Sequence, residues 1–200
     1  MPLRIAVVGC GTAGPAAALL LARAGHDVDV LERVPDPSPI GAGLLLQPTG
    51  MAVLRALGLL EEVERRGARV DRPHGETTTG RVVMDLEYAT VKPGLHGLGL
   101  HRGALFGALF AALREQERVA VRTGVDVTRV RGACVETAGG ERLGPYDLVI
   151  AADGARSVVR ESTSLCRSDD RYRWGALWAI LEDPDGPSRA WTRSSAPCCT

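Results

Sequence analysis

Residues 7–14 read VVGCGTAG, and this stretch decides the fold. It overlaps RIAVV at 4–8, a β-branched run typical of a buried parallel strand. The Ala- and Leu-rich segment 12–24 follows and predicts a helix, with Gly25 as its C-terminal stop. DVDVL at 27–31 predicts a second strand. This succession of strand, helix and strand predicts a right-handed βαβ unit with a parallel strand pair.

The glycines of this stretch match a dinucleotide-binding loop. Gly9, Gly11 and Gly14 fit G-x-G-x-x-G, in which the first permits a tight turn, the second lets a pyrophosphate approach the backbone, and the third lets helix and strand pack closely. Glu32 ends the second strand, where a carboxylate can accept both ribose hydroxyls and repel a 2′-phosphate. The loop is therefore predicted to bind the ADP half of NAD or FAD. The intervening Cys10, Thr12 and Ala13 belong to the same predicted cofactor-binding set.

Composition excludes several other classes of function. The 24 basic and 24 acidic residues cancel, which gives no reason to expect nucleic acid or an anionic membrane as a partner. The longest apolar run, 16–22, is too short to span a bilayer. The five cysteines are odd in number and contain no CxxC pair, and the four histidines have no ligand spacing, so neither a disulfide framework nor a metal site is expected. We expect a cytoplasmic protein with a small-molecule substrate, and the sequence leaves its oligomeric state open.

The rest of the chain predicts a mixture of helices and strands. Residues 33–50 contain alternating prolines and three glycines, which indicates a loop. The predicted elements that follow are a helix at 49–57, a short helix ending at Gly67, a half-buried strand at 80–88, a helix at 105–116 with Leu105, Leu109 and Leu113 on its apolar face, a strand at 119–122, an antiparallel meander from 125, a strand, turn and helix start within 146–160, and a strand at 174–181.

Three further stretches carry a family resemblance. GAGLLLQPTGMAVLRALGL at 41–59, HRGALFGAL at 101–109 and YDLVIAADGARSVVR at 146–160 resemble the flavoprotein aromatic hydroxylases, the FAD-dependent monooxygenases of the para-hydroxybenzoate hydroxylase type. The resemblance runs from about residue 3 to about residue 181. It implies an α/β fold in which a Rossmann-like FAD-binding parallel sheet with an antiparallel meander is joined to part of a β-rich substrate domain. The implied division is 1–70 with 101–165 for the FAD-binding domain, 71–100 with 166–190 for the partial substrate domain, and 191–200 for an irregular tail.

The resemblance also implies further cofactor contacts. Arg102 matches the arginine near the FAD pyrophosphate, and Arg33 is a candidate for the adenosine end. Asp153 and Gly154 match an Asp-Gly pair that serves both FAD and the nicotinamide cofactor. The remaining implied contacts are backbone groups of Val127 at the adenine, Gly41 and Gly43 in the loop near the flavin ring, and a cationic pair, Arg156 and Arg160, near the pyrophosphate.

The implied reaction is an NAD(P)H-dependent hydroxylation. NADH or NADPH reduces FAD, and the reduced flavin uses O₂ to place one oxygen atom on a small organic, often aromatic, substrate. No catalytic side chain is predicted. The family is longer and has a second Gly-Asp motif that this chain lacks, so truncation is expected, with apolar edges exposed around Met84, Leu86, Trp178 and Ile180. A non-catalytic nucleotide-binding remnant, or a related epoxidase, halogenase or geranylgeranyl-reductase-like enzyme, remains an alternative.

Overall fold

The computed structural model describes residues 1–38, 41–163, 166–168 and 170. The strand predicted at 174–181 and the tail at 191–200 lie outside these residues. The twelve strands are arranged in four sheets, and five α-helices connect or cover them within the described part of the chain.

A four-stranded parallel sheet forms the centre of the fold. Its order is β12 (Leu148–Ala151), β1 (Arg4–Val8), β2 (Asp27–Glu32) and β8 (Val119–Thr123). Ile5, Ala6 and Val7 of β1 are fully buried, because β1 lies between two strands and both faces of the sheet are covered. The apolar run that predicted a buried parallel strand is thereby explained, and the predicted α/β class with a Rossmann-like parallel sheet is confirmed.

Two long helices cover one face of the sheet. Helix α1 spans Ala13–Arg23, with Thr12 and Ala24 as its flanking caps, as the sequence predicted. Helix α4 spans Arg102–Arg114 and buries the predicted leucines at 105, 109 and 113 against α1 and the sheet. Burial of a leucine stabilises the fold by roughly 1.5–3 kcal/mol. Helix α4 begins three residues earlier than predicted, because the His101 ring caps it by accepting a hydrogen bond from the Gly103 N–H at 3.1 Å.

The predicted antiparallel meander covers the other face. It consists of β9 (Val127–Arg131), β10 (Cys134–Thr137) and β11 (Arg142–Leu143), in the order β11-β10-β9. Val127 and Val135 of the meander pack into a second buried cluster with residues of β1 and β2. Helix α5 (Val158–Glu161) follows β12 and adds Val159 to the same cluster.

A second antiparallel sheet was not predicted. It contains β3 (Gly43–Leu46), β7 (Gly97–His101) and β4 (Gly67–Val70), in the order β3-β7-β4. The prediction of a loop throughout 33–50 is therefore wrong, since β3 pairs with a strand more than fifty residues away along the chain. Helix α2 covers Pro48–Ala56 and α3 covers Leu60–Glu64. The short helix expected to continue to Gly67 ends earlier, and Gly67 begins β4.

The prediction of a half-buried strand at 80–88 is also wrong. Strand β6 covers only Val82–Asp85, and all four of its residues are exposed. It pairs only with β5 (His74–Glu76), so within the described residues this hairpin forms a two-stranded sheet. Tyr88 lies beyond the strand in a 3-10 turn, where it is buried and its hydroxyl donates to Gln47 at 2.6 Å.

The apolar exposure predicted for this hairpin is present. Met84 is 50% exposed and Leu86 is 40% exposed. The other two residues predicted to be exposed, Trp178 and Ile180, lie outside the described residues. No helix in the described part of the chain is long and apolar enough to cross a membrane.

Candidate nucleotide-binding site

The three glycines of the loop lie in three different environments. Gly9 has φ +101°, and a Cβ at this position would lie 2.5 Å from the Ala152 carbonyl oxygen. A Cβ on Gly14 would collide with the Gly9 carbonyl oxygen. In contrast, apart from its two chain neighbours, no described residue places an atom within 4 Å of the Cβ position of Gly11. The chain's own packing therefore requires Gly9 and Gly14, whereas Gly11 leaves bare backbone facing open space.

Two backbone donors fix the loop to β2, and a third joins the Glu32 carboxylate to the segment that follows the strand. The Gly9 N–H donates to the Leu31 carbonyl at 2.8 Å. The Cys10 N–H donates to Oε2 of Glu32 at 2.7 Å, and the Val34 N–H donates to Oε1 of the same carboxylate at 2.9 Å. The sequence predicts Glu32 only as a ribose contact, and its two hydrogen bonds to the backbone emerge only from the structure. The register of β1 on β2 was the missing signal, since it pairs Val8 with Leu31 and so sets Glu32 beside the loop.

The parallel strands end at a cleft of about 260 Å³ beside this loop. Such a position, outside the carboxyl ends of parallel strands, is where open α/β sheets bind ligands. The cleft brings together most of the residues predicted to bind the cofactor: Gly9, Cys10, Gly11, Glu32, Arg33, Arg102, Val127, Asp153 and Gly154.

The remaining predicted residues lie elsewhere. Thr12 lines a smaller adjoining cleft of about 160 Å³, which also contains Phe106. Ala13 lines a cavity of about 630 Å³ on the other side of Asp153, and Arg160 lines it too. Gly14 is buried in the first turn of α1. Gly43 begins β3 opposite His101 and lines none of these three cavities.

Three arginines and three carboxylates line the 260 Å³ cleft, so its formal charge is balanced. Arg33, Arg102 and Arg156 all line it, and none of them makes an ion pair with another residue in the described ranges. Arg102 is positioned by the preceding loop, because its N–H donates to the Ala42 carbonyl at 3.1 Å and its side chain packs against Gly41. An arginine without a direct ion-pair partner in the protein is available to an anionic group of a ligand.

The Asp153 side chain stabilises the part of the cleft lining that leads into α5. Its Oδ2 accepts the Val159 N–H at 3.2 Å, and the Ser157 hydroxyl accepts the Arg160 N–H at 3.0 Å. These two side chains satisfy amides at the start of α5, as N-terminal capping residues do. Gly154 follows with φ +82° and open space around its Cβ position.

Cys10 lies in the loop as a neutral thiol. Burial raises its pKa to about 11, and the nearby charge of Glu32 acts in the same direction. A thiol with this pKa is protonated at neutral pH, so Cys10 is a poor nucleophile. Among the described residues, no group of three or more His, Cys, Asp or Glu side chains is placed to hold a metal ion.

Comparison with known proteins identifies the family. Residues 3–195 match the family model described as FAD binding domain. The chain is 33% identical over 171 residues to 6-hydroxynicotinate 3-monooxygenase from Bordetella bronchiseptica, covering 79% of this chain and 42% of that protein. It is 36% identical over 180 residues to 3-amino-4-hydroxybenzoate 2-monooxygenase from Streptomyces cremeus, covering 85% and 44%. The solved tetrameric form of 2-methyl-3-hydroxypyridine-5-carboxylic acid oxygenase superposes with TM-score 0.70 at 28% identity, over 80% of this chain and 42% of that one.

These matches place the fold and the glycine loop in one class, the FAD-binding α/β domains of flavoprotein monooxygenases. The chain belongs to the FAD binding domain family. It spans 42% to 44% of the length of these curated relatives.

Proposed function

We propose that this chain binds the ADP half of FAD in the 260 Å³ cleft. The observation that carries the proposal is the contrast between Gly11 and its two neighbours in the motif. Gly9 and Gly14 are explained by contacts within the protein, but Gly11 faces empty space at a helix N-terminus. Bare backbone at this point fits a diphosphate, whose charge is favoured by the free amides and dipole of the first helical turn.

The residues around Gly11 fit the rest of an ADP group. Arg102 supplies an unpaired positive charge on the wall formed by α4. Glu32 keeps accepting capacity for ribose hydroxyls, because each carboxylate oxygen has two lone pairs and only one is used by a backbone N–H. Arg33 lies at the same end of the cleft, and Val127 offers backbone groups for the adenine.

The other predicted contacts complete the proposed set. Amides of the loop and first helical turn face the diphosphate, and the Asp153–Gly154 turn forms the far wall. The residues assigned to cofactor binding are thus Gly9, Cys10, Gly11, Thr12, Ala13, Gly14, Glu32, Arg33, Gly43, Arg102, Val127, Asp153 and Gly154, with Gly43 assigned to the flavin end.

For the whole protein we propose an NAD(P)H-dependent monooxygenase that hydroxylates a small aromatic substrate. When bound, FAD supplies the redox chemistry, while the protein binds, orients and shields it. The relatives named above, which act on hydroxynicotinate and aminohydroxybenzoate, support an aromatic substrate. We also propose a cytoplasmic location, and the division into an FAD-binding part at 1–70 and 101–165 and a substrate part at 71–100 and 166–190.

Titration calorimetry with ADP, FAD and NAD⁺ tests the binding proposal. We expect ADP and FAD to compete for one site and NAD⁺ to bind less tightly than FAD. Failure to bind ADP at millimolar concentration would overturn the proposal. NADH oxidation is then measured with added FAD and a hydroxylated pyridine or benzoate. Binding of FAD without substrate-stimulated NADH oxidation would overturn the proposed monooxygenase activity but not the nucleotide site.

A further inference from the structure

We propose that Glu32 positions the glycine loop before any nucleotide binds, in addition to contacting the ribose. Its two carboxylate oxygens accept the N–H groups of two separate segments, Cys10 in the loop and Val34 after β2. Both bonds are short, at 2.7 and 2.9 Å, and both have a charged acceptor. A hydrogen bond to a charged acceptor is stronger than one between neutral groups.

The bond to Cys10 determines which loop amides remain available. The Gly9 N–H is used by Leu31 and the Cys10 N–H by Glu32. The amides free to meet an anion therefore begin at Gly11, which is exposed. A loop held in this way presents its donors without an ordering cost at the moment of binding.

Glutamine at position 32 separates the two roles of Glu32. A ribose hydroxyl can donate or accept, so an amide still pairs with it. The two backbone groups, however, are both donors, and a glutamine has only one oxygen to offer them. Its NH₂ group must face the second N–H, so Glu32→Gln loses at least one of the two hydrogen bonds to Cys10 and Val34.

Inorganic pyrophosphate, which has no ribose, distinguishes the two roles, because they predict opposite effects of Glu32→Gln on its affinity. If Glu32 contacts only ribose, Glu32→Gln leaves pyrophosphate affinity unchanged or raises it, because a negative charge near the anion is removed. If Glu32 holds the loop, the same variant weakens pyrophosphate binding because the loop donors lose their positions. Asp126→Asn is the matched control, since Asp126 lines the same cleft and its carboxylate makes no side-chain hydrogen bond to another described residue.

Amide hydrogen exchange in the free protein tests the positioning role without any ligand. Val34 is 42% exposed, so slow exchange of its amide reports the bond to Glu32 rather than burial. We expect at least one of the Cys10 and Val34 amides to exchange at least about tenfold faster in Glu32→Gln than in the parent, which corresponds to loss of about 1.4 kcal/mol. Asp126→Asn should leave both rates unchanged.

The binding part of the experiment rests on the proposed nucleotide site, and the exchange part does not. We expect Glu32→Gln to weaken pyrophosphate binding about five- to tenfold. Glu32→Asp, which keeps the charge but withdraws the carboxylate by one methylene, should also weaken it. If Val34 exchanges as fast as Gly11 in the parent, or if Glu32→Gln binds pyrophosphate at least as tightly as the parent, the positioning role is refuted. If the parent binds no pyrophosphate or ADP but protects Val34, the proposed function fails and the positioning role stands.

Discussion

Replacing each glycine of the loop in turn distinguishes the glycines that packing requires from the one that nucleotide binding requires. Gly11→Ala and Gly11→Val add a Cβ that no described residue other than the two chain neighbours approaches within 4 Å, and the φ of Gly11 lies outside the left-handed range. Neither substitution should lower the free energy of unfolding by more than about 0.5 kcal/mol, and the alanine can raise it by restricting the unfolded chain. The valine should nevertheless block the diphosphate.

The expected loss of binding follows from the donors that the valine covers. Losing one charge-assisted hydrogen bond, at roughly 1.5–3 kcal/mol, weakens ADP binding by about tenfold to about 150-fold. Gly9→Ala and Gly14→Ala are the matched controls. Gly9→Ala combines a left-handed φ with a contact of 2.5 Å to Ala152, and Gly14→Ala forces α1 away from the loop. Overpacking of this kind costs about 1–3 kcal/mol of stability.

Urea denaturation and ADP calorimetry on the same four variants provide the test. The expected pattern is normal stability with lost binding at Gly11, and lowered stability at Gly9 and Gly14. A Gly11→Val protein that binds ADP as tightly as the parent would refute the proposed site. A Gly14→Ala protein as stable as the parent would refute the packing argument.

Three further predictions concern residues around the site and on the β5–β6 hairpin. Arg102→Gln should weaken ADP binding about tenfold and leave adenosine binding unchanged by calorimetry, because only the phosphates meet the guanidinium; an equal loss for both ligands would contradict this. Asp153→Ala should cost about 0.5–2 kcal/mol in denaturation and speed exchange of the Val159 amide, whereas Asp153→Asn should retain most of the capping bond. Arg72 lowers the pKa of Asp85 from 3.8 to about 2, mainly through their hydrogen bonds. This pair therefore stabilises the hairpin above pH 4, and the stabilisation is lost as the pH falls toward 2. Asp85→Asn should flatten that part of the stability–pH curve.

The sequence determined the βαβ unit and the helix faces because these depend on neighbours along the chain. A helix is recognised from its apolar spacing, and α1 and the buried leucines of α4 were predicted on this basis. The glycine loop was predicted for the same reason, since its turn, its helix and the following strand are contiguous. What the sequence could not provide was β3, whose partner β7 lies far along the chain, and the exposure of β6, which depends on whether another element covers it.

Within the site, the sequence identified which residues carry the chemistry, and the tertiary structure decided how they are held. Glu32 was predicted as a carboxylate at the end of β2, yet only the register of β2 on β1 brings one of its oxygens to the Cys10 N–H. The other oxygen accepts the N–H of Val34, two residues along the chain. Gly9, Gly11 and Gly14 look alike in a motif. They differ because Ala152 of a distant strand end and the carbonyl of Gly9 fill two of the three spaces. The contact between Gly9 and Ala152 joins residues more than a hundred positions apart, and local patterns carry no information about it because it arises only when the sheet assembles.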